Sequence, residues 1–439
     1  MMSRSKSASS LVNMEGATGW DWRSNTPPGG RDWRAAISTP LAYRIGNSTV
    51  HFRPHLILVS SIIIVAIILL FYSSFGGRKR SIHVLRDNLE HDHLHTELNT
   101  RYPLSDILYS GDTKIYKIAI ISDLDTDSAA GDNKWKSYLR YGELRIKMDY
   151  SRVEVNTRLI LYSITLCRYG ELRIKMDYSR VEVNIPEKSL ELFSNLGAGG
   201  RGMELSELSV YNGKLYSLDD RTGVVYQIQD GGVIPWLILS DGPGNQTKAF
   251  KSEWSTVKGD DLWVGGLGKE WTTQDGKVLN THPMFVKKIN RKGEVEHIDW
   301  TDNYLALRET LGILPPGYMI HEAVSWSPAL ERWVFLPRRA SKERYDDVED
   351  ERRGTNLMIL ADENFQHIES RTVGEIVPTH GFSSFKFLPG SNDEIIIALK
   401  SEEFEGKISS YVMVFNIQGK ILLPEQKIAD KKFEGIEFV

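Results

Sequence analysis

Four consecutive stretches of the sequence each predict four short β-strands separated by turns. They begin at SELSVYNG, SEWSTVKGD, HEAVSWSPALE and GFSSFKFLPGSN, and Gly, Asn or Asp stands at the turns, as at Asn212-Gly213. Four-strand units in series are typical of β-propeller blades. A fifth blade can combine the C-terminal EGIEFV with TKIYKIAIISDLD, WKSYLRYGELRIK and DYSRVEVN, which would leave no open sheet edge between the first and last blades. The sequence therefore predicts an all-β fold, a five-bladed β-propeller over residues 109–439.

The segment RYGELRIKMDYSRVEVN occurs twice without a mismatch, at residues 140–156 and 168–184. Only one copy is needed for the fifth blade. We therefore expect the other to be an insertion, covering either residues 157–184 or residues 140–167. The spacing of the apolar residues in EKSLELFSN, from Glu187 to Asn195, predicts a short helix before the first complete blade.

The N-terminal quarter of the chain has a different character. Residues 1–55 are rich in Ser, Arg, Gly and Pro, which predicts a disordered cytosolic tail. Residues 56–75 are apolar and uncharged, and a run of about 20 such residues spans a bilayer as a helix. A cleaved signal peptide is the alternative. Residues 76–108 then form a stem. We expect a type II signal anchor with the large domain lumenal, although basic residues on both sides of the span leave the orientation open.

Composition adds two limits. The formal net charge is −4, which implies no general attraction to nucleic acid. The single cysteine, Cys167, excludes a disulfide within the chain.

An oxygen-bearing side chain stands at the head of the first strand of every predicted blade. Inner strands of a propeller line its channel, so equivalent positions would form a ring about the axis. Three carboxylates and two hydroxyls meeting there would need a cation to offset their repulsion. Oxygen ligands in a wide ring favour Ca²⁺ over Mg²⁺. Solvent-exposed strand ends are the alternative interpretation. The ring residues are Ser206, Glu253, Glu322, Ser383 and Glu434.

Further polar clusters stand at predicted strand ends and turns. Arginines bind phosphate through two parallel hydrogen bonds, and tryptophan stacks on bases, so the set suits a nucleotide. Solvated turns and a charged loop are the simpler alternative for each cluster alone. The sequence contains neither a GxxxxGK[ST] loop nor a G-x-S-x-G elbow, which disfavours P-loop and serine-hydrolase chemistry. The cluster residues are Asp123, Asp125, Asp219, Asp220, Arg221, Glu270, Trp271, Arg338, Arg339, Lys342 and His380.

These residues lie in motifs through which the chain resembles the calcium-activated nucleotidase, or soluble apyrase, family of five-bladed propellers. The motifs are RGMELSEL, LYSLDDRTGVVYQI, SEW, GGLGKEWTT, PPGYMIHE, RWVFLPRRAS, VPTHGFSSFKF, ALKSEE and EGIEF, and the likeness covers about Tyr109 to Val439. The family's calcium ligands carry over onto the same five ring residues. Beside the first ligand the family usually has Asp; Glu207 stands there, so its contact with the ion is open.

The resemblance implies Ca²⁺-dependent hydrolysis of nucleoside diphosphates, with UDP and GDP ahead of ADP. It also implies residence in the endoplasmic reticulum and Golgi, clearance of UDP in support of glycosylation and proteoglycan synthesis, and a calcium-linked homodimer. Release of a secreted form by cleavage stays open. A non-catalytic, Ca²⁺-stabilised propeller that binds a partner is the alternative, since folds of this type host many functions.

The residues suggest how such a reaction could be divided among them. Asp220 is the first candidate for the group that activates water, and Asp123 is the second. Arg338 and Arg339 would neutralise the phosphoryl oxygens, a cation would act as a Lewis acid, and Trp271 would stack on the base. Arg221, Glu270 and His380 are further candidates for substrate binding.

Overall fold

The computed structural model describes residues 41–45, 48–52, 99–149, 156–157, 170–171 and 177–439. Met1–Leu94 and His95–Val439 form separate compact units. In the first unit, strands β1 (Leu41–Ile45) and β2 (Ser48–Phe52) pair as an antiparallel hairpin, within the segment predicted to be disordered. The predicted anchor lies outside the described residues. Among those that are described, no helix combines the length and apolar character needed to cross a membrane.

One sheet of the second unit joins the beginning and the end of that unit. Its central order is β28-β4-β5-β8, with β3 beside β4 and β9 also beside β5. A separate pair of two-residue strands, β6 and β7, lies between β5 and β8 in sequence. The strands are β3 (Leu108–Ser110), β4 (Thr113–Ser122), β5 (Trp135–Asp149), β6 (Asn156–Thr157), β7 (Gly170–Glu171), β8 (Asp177–Asn184), β9 (Leu190–Ser194) and β28 (Phe433–Phe438).

The duplicated segment contributes one half of each copy to this sheet. β5 contains the beginning of the first copy, and β8 contains the end of the second. Met148 pairs with Tyr178, and Lys147 pairs with Arg180. In a single copy, four residues would separate Lys147 from the equivalent of Arg180, so that pairing is compatible with a hairpin from one copy, and residues 150–176 are additional in sequence between β5 and β8. Most of them lie outside the described part of the chain, and the choice between the two predicted insertion ranges stays a prediction.

The helix predicted from Glu187 to Asn195 is wrong. The structure has strand β9 there, antiparallel to the start of β5, with Trp135 opposite Ser194 and Leu139 opposite Leu190. Leu192 is buried, whereas Leu190 and Phe193 are exposed. A free edge of β5 was available to pair with this short segment, and that long-range pairing outweighed its weak helical spacing.

Four antiparallel sheets of four strands correspond to the four predicted blocks. Each runs from an inner strand outward in sequence order, in the orders β10-β11-β12-β13, β14-β15-β18-β19, β20-β21-β22-β23 and β24-β25-β26-β27. Their bounds are β10 (Leu205–Tyr211), β11 (Lys214–Asp219), β12 (Val224–Gln229), β13 (Gly232–Ile238); β14 (Trp254–Lys258), β15 (Asp261–Gly265), β18 (Phe285–Ile289), β19 (Val295–Asp299); β20 (Tyr318–Ser327), β21 (Arg332–Ser341), β22 (Leu357–Asp362), β23 (Ile368–Thr372); and β24 (His380–Phe387), β25 (Ile395–Phe404), β26 (Lys407–Asn416), β27 (Ile421–Ala429).

A few short elements decorate the blades. The hairpin of β16 (Trp271–Thr272) and β17 (Val278–Asn280) interrupts the second block. Helix α1 (Thr301–Thr310) follows that block, and α2 (Asp347–Asp350) follows β21. Two 3-10 helices span Asp125–Ser128 and His282–Met284.

The hydrophobic core is divided into five clusters, and each lies between two neighbouring sheets. For example, Ile118 of β4 and Ile397 of β25 share one cluster, and Leu139 of β5 and Leu208 of β10 share another. The remaining three clusters join the other adjacent sheets in the same way. Because every sheet packs against two neighbours, the five close into a ring. The predicted five-bladed β-propeller is confirmed.

Candidate active site

The inner strand of every blade has an irregularity at the predicted ring residue. In four blades the ladder skips one position, and in the second blade the backbone N–H of Glu253 bonds to the Gly265 carbonyl while Trp254 pairs with the same glycine. A β-bulge inserts one unpaired residue and redirects its side chain, and bulges are frequent beside active sites. The skipped residues are Ser206, Glu322, Ser383 and Glu434. All five predicted ring residues therefore occupy equivalent places.

The two ring serines are oriented by neighbouring blades. Ser206 Oγ donates to the carbonyl oxygen of Ser252 at 2.5 Å, and Ser383 Oγ donates to that of Phe433 at 3.3 Å. Each hydroxyl proton is thereby used, which leaves the oxygen lone pairs available to a cation.

The three ring glutamates line a cavity of about 800 Å³ at one end of the propeller channel. Burial raises the pKa of Glu253 to about 8, with Lys251 opposing the rise and the Glu322 carboxylate adding to it. Burial also raises the pKa of Glu434 well above its usual range, again with a contribution from Glu322. Mutually repelling buried carboxylates and two hydroxyl oxygens form a donor set of oxygens only, which fits a hard cation such as Ca²⁺.

Glu207 takes part in a different set of contacts. Its carboxylate accepts hydrogen bonds from Ser384 Oγ and from the Leu208 backbone N–H, both at 2.8 Å, and Lys386 Nζ lies 3.3 Å away. Burial raises the pKa of Glu207 to about 8. The structure does not bring it to the cavity that the three ring glutamates line.

Asp123 and Asp220 stand at the ends of β4 and β11, on neighbouring blades. Asp220 lines the cavity and contacts Lys251, and its Oδ1 has no hydrogen-bond partner among the described residues. Asp123 is 2% exposed and accepts from Lys432 Nζ at 2.7 Å. Burial raises the pKa of Asp220; burial acts in the same direction on Asp123, but the adjacent Lys432 outweighs it and lowers the pKa of Asp123.

Asp123 and Glu204 also belong to a second acidic group, together with Asp125. One carboxylate oxygen from each lies within 4.8 Å of the other two. Arg201 binds Glu204 at 2.6 Å and Asp125 at 3.1 Å, and Lys432 binds Asp123. Side-chain cations neutralise this group, as they do the ring glutamates, but the group has three oxygen donors where the ring has five at equivalent strand positions.

The predicted phosphate-binding arginines line the cavity, although their surroundings differ. Arg338 is 5% exposed and contacts Glu322, Glu403 and, at 2.7 Å, Glu434. Arg339 is also buried, and its Nε lies 4.0 Å from Asp350. Arg221 lines the outer part of the cavity and is exposed.

Two aromatic side chains stand on the cavity wall. Trp271 lies on β16, with Lys248 Nζ 3.7 Å from its ring centroid. Tyr345 lies near Lys269, whose Nζ is 4.2 Å from that ring. Burial lowers the pKa of Lys269 to about 8. The wall therefore combines flat rings with positive charge, which suits stacking of a base beside bound phosphates.

The structure does not bring Glu270 or His380 to the cavity. Glu270 forms two hydrogen bonds, at 2.8 and 3.0 Å, with the buried Arg308 of α1. His380 Nδ1 lies 2.6 Å from Glu425 of β27, and its ring stacks on Tyr411 at 4.1 Å. Both side chains connect parts of the scaffold.

Two lysines at the site were missed by the sequence reasoning. Lys251 contacts Asp220 and, at 2.6 Å, Glu253; Lys432 lies 3.3 Å from Glu434. Each lysine precedes its ring glutamate by two residues, and residues two apart on a strand share a face. The repeated Lys-x-Glu pattern was the signal that could have identified them.

The opposite end of the channel has a separate cavity of about 540 Å³. The ends of the inner strands surround it, and the segment from Asn99 to Tyr102 lines it as well. Tyr102 Oη donates to the Glu437 carboxylate at 2.9 Å, and the Asn99 backbone N–H donates to Asn212 Oδ1 at 2.8 Å. Glu207 and Ser384 are buried and line neither cavity, whereas the buried Lys386 lines the second one.

Comparison with known proteins identifies the family. The apyrase family model matches residues 161–439. Soluble calcium-activated nucleotidase 1 of Rattus norvegicus is 49% identical over 345 residues, which are 78% of this chain and 79% of the rat protein. Apyrase apy-1 of Caenorhabditis elegans is 44% identical over 74% of this chain and 84% of its own length. The apyrase of Cimex lectularius is 37% identical over 91% of this chain and 99% of its own. The chain therefore belongs to the apyrase family of nucleotide-hydrolysing enzymes, alongside the calcium-activated nucleotidases.

Proposed function

We propose that this protein is a Ca²⁺-dependent nucleoside diphosphatase that hydrolyses UDP and GDP to the monophosphate and phosphate, and triphosphates more slowly. The observation that carries the proposal is the ring of oxygen side chains at five equivalent irregularities of the inner strands. The calcium-activated relatives support the choice of ion. Ser206, Glu253, Glu322, Ser383 and Glu434 would hold Ca²⁺, which when bound supplies a Lewis acid beside the phosphates.

The chain's own residues would position the substrate around that ring. Arg338 and Arg339 face the cavity and would bind the phosphate oxygens, whose charge must be neutralised during phosphoryl transfer. Arg221 stands at the rim, where the departing nucleotide's phosphate could reach it. Trp271 would stack on the base; every base has a flat face, so the enzyme would accept several nucleotides.

Asp220 is the better candidate for orienting the attacking water and accepting its proton. It faces the cavity with one oxygen free of described partners, whereas Asp123 is enclosed by Lys432. Its raised pKa also suits a base, because a carboxylate is a more effective proton acceptor when its pKa approaches the working pH.

Phosphate release by the purified full-length chain tests the proposal. We expect release from UDP that stops when EGTA is added and returns with Ca²⁺ but not with equimolar Mg²⁺. Equal rescue by Mg²⁺ would contradict the assignment of the ion. A protein that binds Ca²⁺ but releases no phosphate from any nucleotide would instead be the non-catalytic binding module.

We also propose that the propeller lies in the lumen of the endoplasmic reticulum and Golgi. It would be held there by a type II anchor at residues 56–75, or released by cleavage. In that compartment, clearing UDP would support glycosylation and proteoglycan synthesis. Asn245 is exposed and begins the sequon Asn-Gln-Thr. Lumenal placement predicts a glycan at Asn245 and none at Asn47. A glycosidase shift that Asn245→Gln abolishes and Asn47→Gln preserves is the expected result; the reverse pattern would invert the topology.

A calcium-linked homodimer is the last part of this proposal. Sedimentation of the purified protein with Ca²⁺ and with EGTA measures it directly. We expect the larger species only with Ca²⁺, and a single mass under both conditions would contradict the link.

A further inference from the structure

Arg338 contacts three carboxylates, which occupy N–H groups that a phosphate-binding arginine would need for its ligand. Its Nη1 contacts Glu322 and lies 2.7 Å from Glu434, and its Nη2 contacts Glu403. The guanidinium is buried among three carboxylates that arrive from three different blades. Its outward edge therefore has little capacity left for a substrate phosphate in this arrangement.

Two of those partners are ring residues, and the third is not. Glu322 and Glu434 belong to the proposed Ca²⁺ ligands, whereas Glu403 lies on β25. A carboxylate that coordinates a divalent cation no longer neutralises a guanidinium beside it, because two positive charges about 4 Å apart repel each other. Arg338 and a ring cation thus compete for the same two side chains.

Glu403 also contacts Lys432, the other basic side chain beside Glu434. Its Oε1 lies 3.4 Å from Lys432 Nζ, which in turn lies 3.3 Å from Glu434. Arg338 and Lys432 are therefore both shared between the ring carboxylate Glu434 and Glu403. Lys432 also contacts Asp123 and Asp125, whereas Glu403 is the one described acidic partner outside the ring that can retain Arg338 once the ring carboxylates are engaged.

We propose that Glu403 is a positioning residue which keeps Arg338 at the cavity when the ring binds its cation, so that the released edge of Arg338 becomes available to phosphate. This inference rests on the proposed function of the ring. It makes cation binding and phosphate binding mutually reinforcing, since each removes a partner that the other would have to displace. Linkage requires the two enhancements to be equal in size.

Calorimetry on the full-length purified chain, with Ca²⁺ and inorganic phosphate as the probes, measures this coupling without turnover. For the native sequence we expect phosphate to bind at least about tenfold more tightly with Ca²⁺ present, and Ca²⁺ to gain the same factor from phosphate. Phosphate affinity that is equal with and without Ca²⁺ would overturn the proposal. A native chain that binds no Ca²⁺ would overturn the proposed function itself, and with it this inference.

Two substitutions separate the roles of the charges. Arg338→Met removes the competitor, so Ca²⁺ should bind roughly tenfold more tightly while phosphate binding is lost. Weaker Ca²⁺ binding by this variant would overturn the proposal. Glu403→Gln should lower phosphate affinity in the presence of Ca²⁺ by about tenfold, and it should also weaken Ca²⁺ binding in the absence of phosphate, because Arg338 then has only the ring carboxylates as acidic partners.

Glu402→Gln is the matched control, because the Glu402 carboxylate contacts Lys407 and Tyr411 instead of the ring. It should leave both affinities unchanged. If Glu402→Gln reproduced the effect of Glu403→Gln, the change would be a general loss of structure and the assignment of Glu403 would fail. Glu403→Gln keeps the test decisive even if Arg338→Met does not fold.

Discussion

At the residue scale, the site is an assembly of charges that no single blade could stabilise. Glu253, Glu322 and Glu434 come from three blades and are each buried. Buried carboxylates cost several kcal/mol each unless they are paired or bind a metal. Lys251, Lys432 and Arg338 provide that pairing in the structure. Replacing any one of these groups should therefore disturb more than its own contact.

Glu253→Gln should abolish Ca²⁺ binding at the ring. The variant removes one of three charged ligands, so we expect loss of UDP hydrolysis and of any Ca²⁺-dependent rise in Tm, since a ligand stabilises only the state that binds it. Differential scanning fluorimetry with and without Ca²⁺ measures the shift. Glu309→Gln, at an exposed position on α1, is the control and should keep the full response. A normal Ca²⁺ response in Glu253→Gln would remove Glu253 from the ligand set.

Asp220→Asn should lower kcat by about 10²- to 10⁴-fold with little change in KM, because it removes a proton acceptor and leaves the binding surface intact. Trp271→Ala provides the contrast. Loss of stacking should raise KM for UDP by roughly tenfold or more and change kcat less. Steady-state kinetics on both variants decide the roles. Should Asp123→Asn lose activity while Asp220→Asn does not, the acceptor is Asp123.

The ring residues could be predicted from the sequence because each heads a blade of recognisable pattern. The contacts of the other site candidates, such as Glu270 and His380, could not be predicted so easily. Arg308 pairs with Glu270 across 38 residues, and nothing near the glycine-rich turn around Glu270 indicated that partner. His380 was placed at the site because it is close in sequence to Ser383. Yet its side chain contacts Glu425 on the outer strand of the blade and does not line the cavity.

At the scale of single elements, inner strands and outer strands follow different rules. The inner strands β10 and β28 are buried throughout and β20 is buried at all but one residue, whereas every residue of the outer strand β13 is partly or fully exposed. Blade patterns predicted the strands well because each blade is local in sequence. Strand β9 was missed because its partner, β5, begins more than fifty residues earlier.

Lys287 on β18 predicts a measurable pH dependence. Its side chain is fully buried, contacts the Gly242 carbonyl, and stands 4.5 Å from the Phe250 ring centroid. Burial lowers the pKa of Lys287 to about 8, although Asp241 opposes the shift. The unfolded chain binds this proton more tightly, so the free energy of unfolding should rise between pH 8 and about 10.4, by up to roughly 3 kcal/mol.

Lys287→Met should remove that rise and stabilise the protein at pH 7. Urea denaturation at several pH values measures the effect. Lys288→Met is the control on the same strand, because Lys288 is partly exposed and pairs with Asp261 and Glu296. If both variants keep the rise, other groups cause it.

Deleting residues 150–177 should leave the fifth blade intact. The deletion joins Asp149 to Tyr178 and recreates one uninterrupted copy of the repeated segment; deleting residues 140–167 gives the identical sequence. Closing a loop of this length costs up to about 3 kcal/mol, so we expect an unchanged or higher Tm and full activity. Thermal unfolding and phosphate release measure both. An insoluble or inactive product would show that the extra residues contribute to the fold.

At the scale of the whole molecule, the closing blade ties the two ends of the propeller together. The C-terminal β28 pairs with β4, and the Val439 backbone N–H donates to the Lys117 carbonyl at 3.0 Å. Five core clusters then link each blade to both neighbours. A ring of this kind has no free blade at which unfolding could begin without breaking two interfaces.

Ile436→Ala in β28 should therefore destabilise all blades at once. Ile436 is fully buried, so the cavity should cost about 2–5 kcal/mol. The tryptophans Trp254, Trp300 and Trp333 lie in the cluster between the second and third blades and report on that distant region by fluorescence. We expect the fluorescence and far-UV circular dichroism transitions to shift together. Separate transitions would mean that the blades unfold independently.

The segment from Asn99 to Tyr102 has a kinetic consequence. It lies at one mouth of the channel, and buried Glu207 and Ser384, which line neither cavity, occupy the interior between that mouth and the ring. These buried side chains separate the two cavities, so substrate and products would pass through the same opening. Anything released at the ring must leave past the place where the next substrate arrives. Phosphate and nucleoside monophosphate would then depart in a fixed order, with the deeper-seated phosphate last, and phosphate should act as a competitive inhibitor of the next turnover.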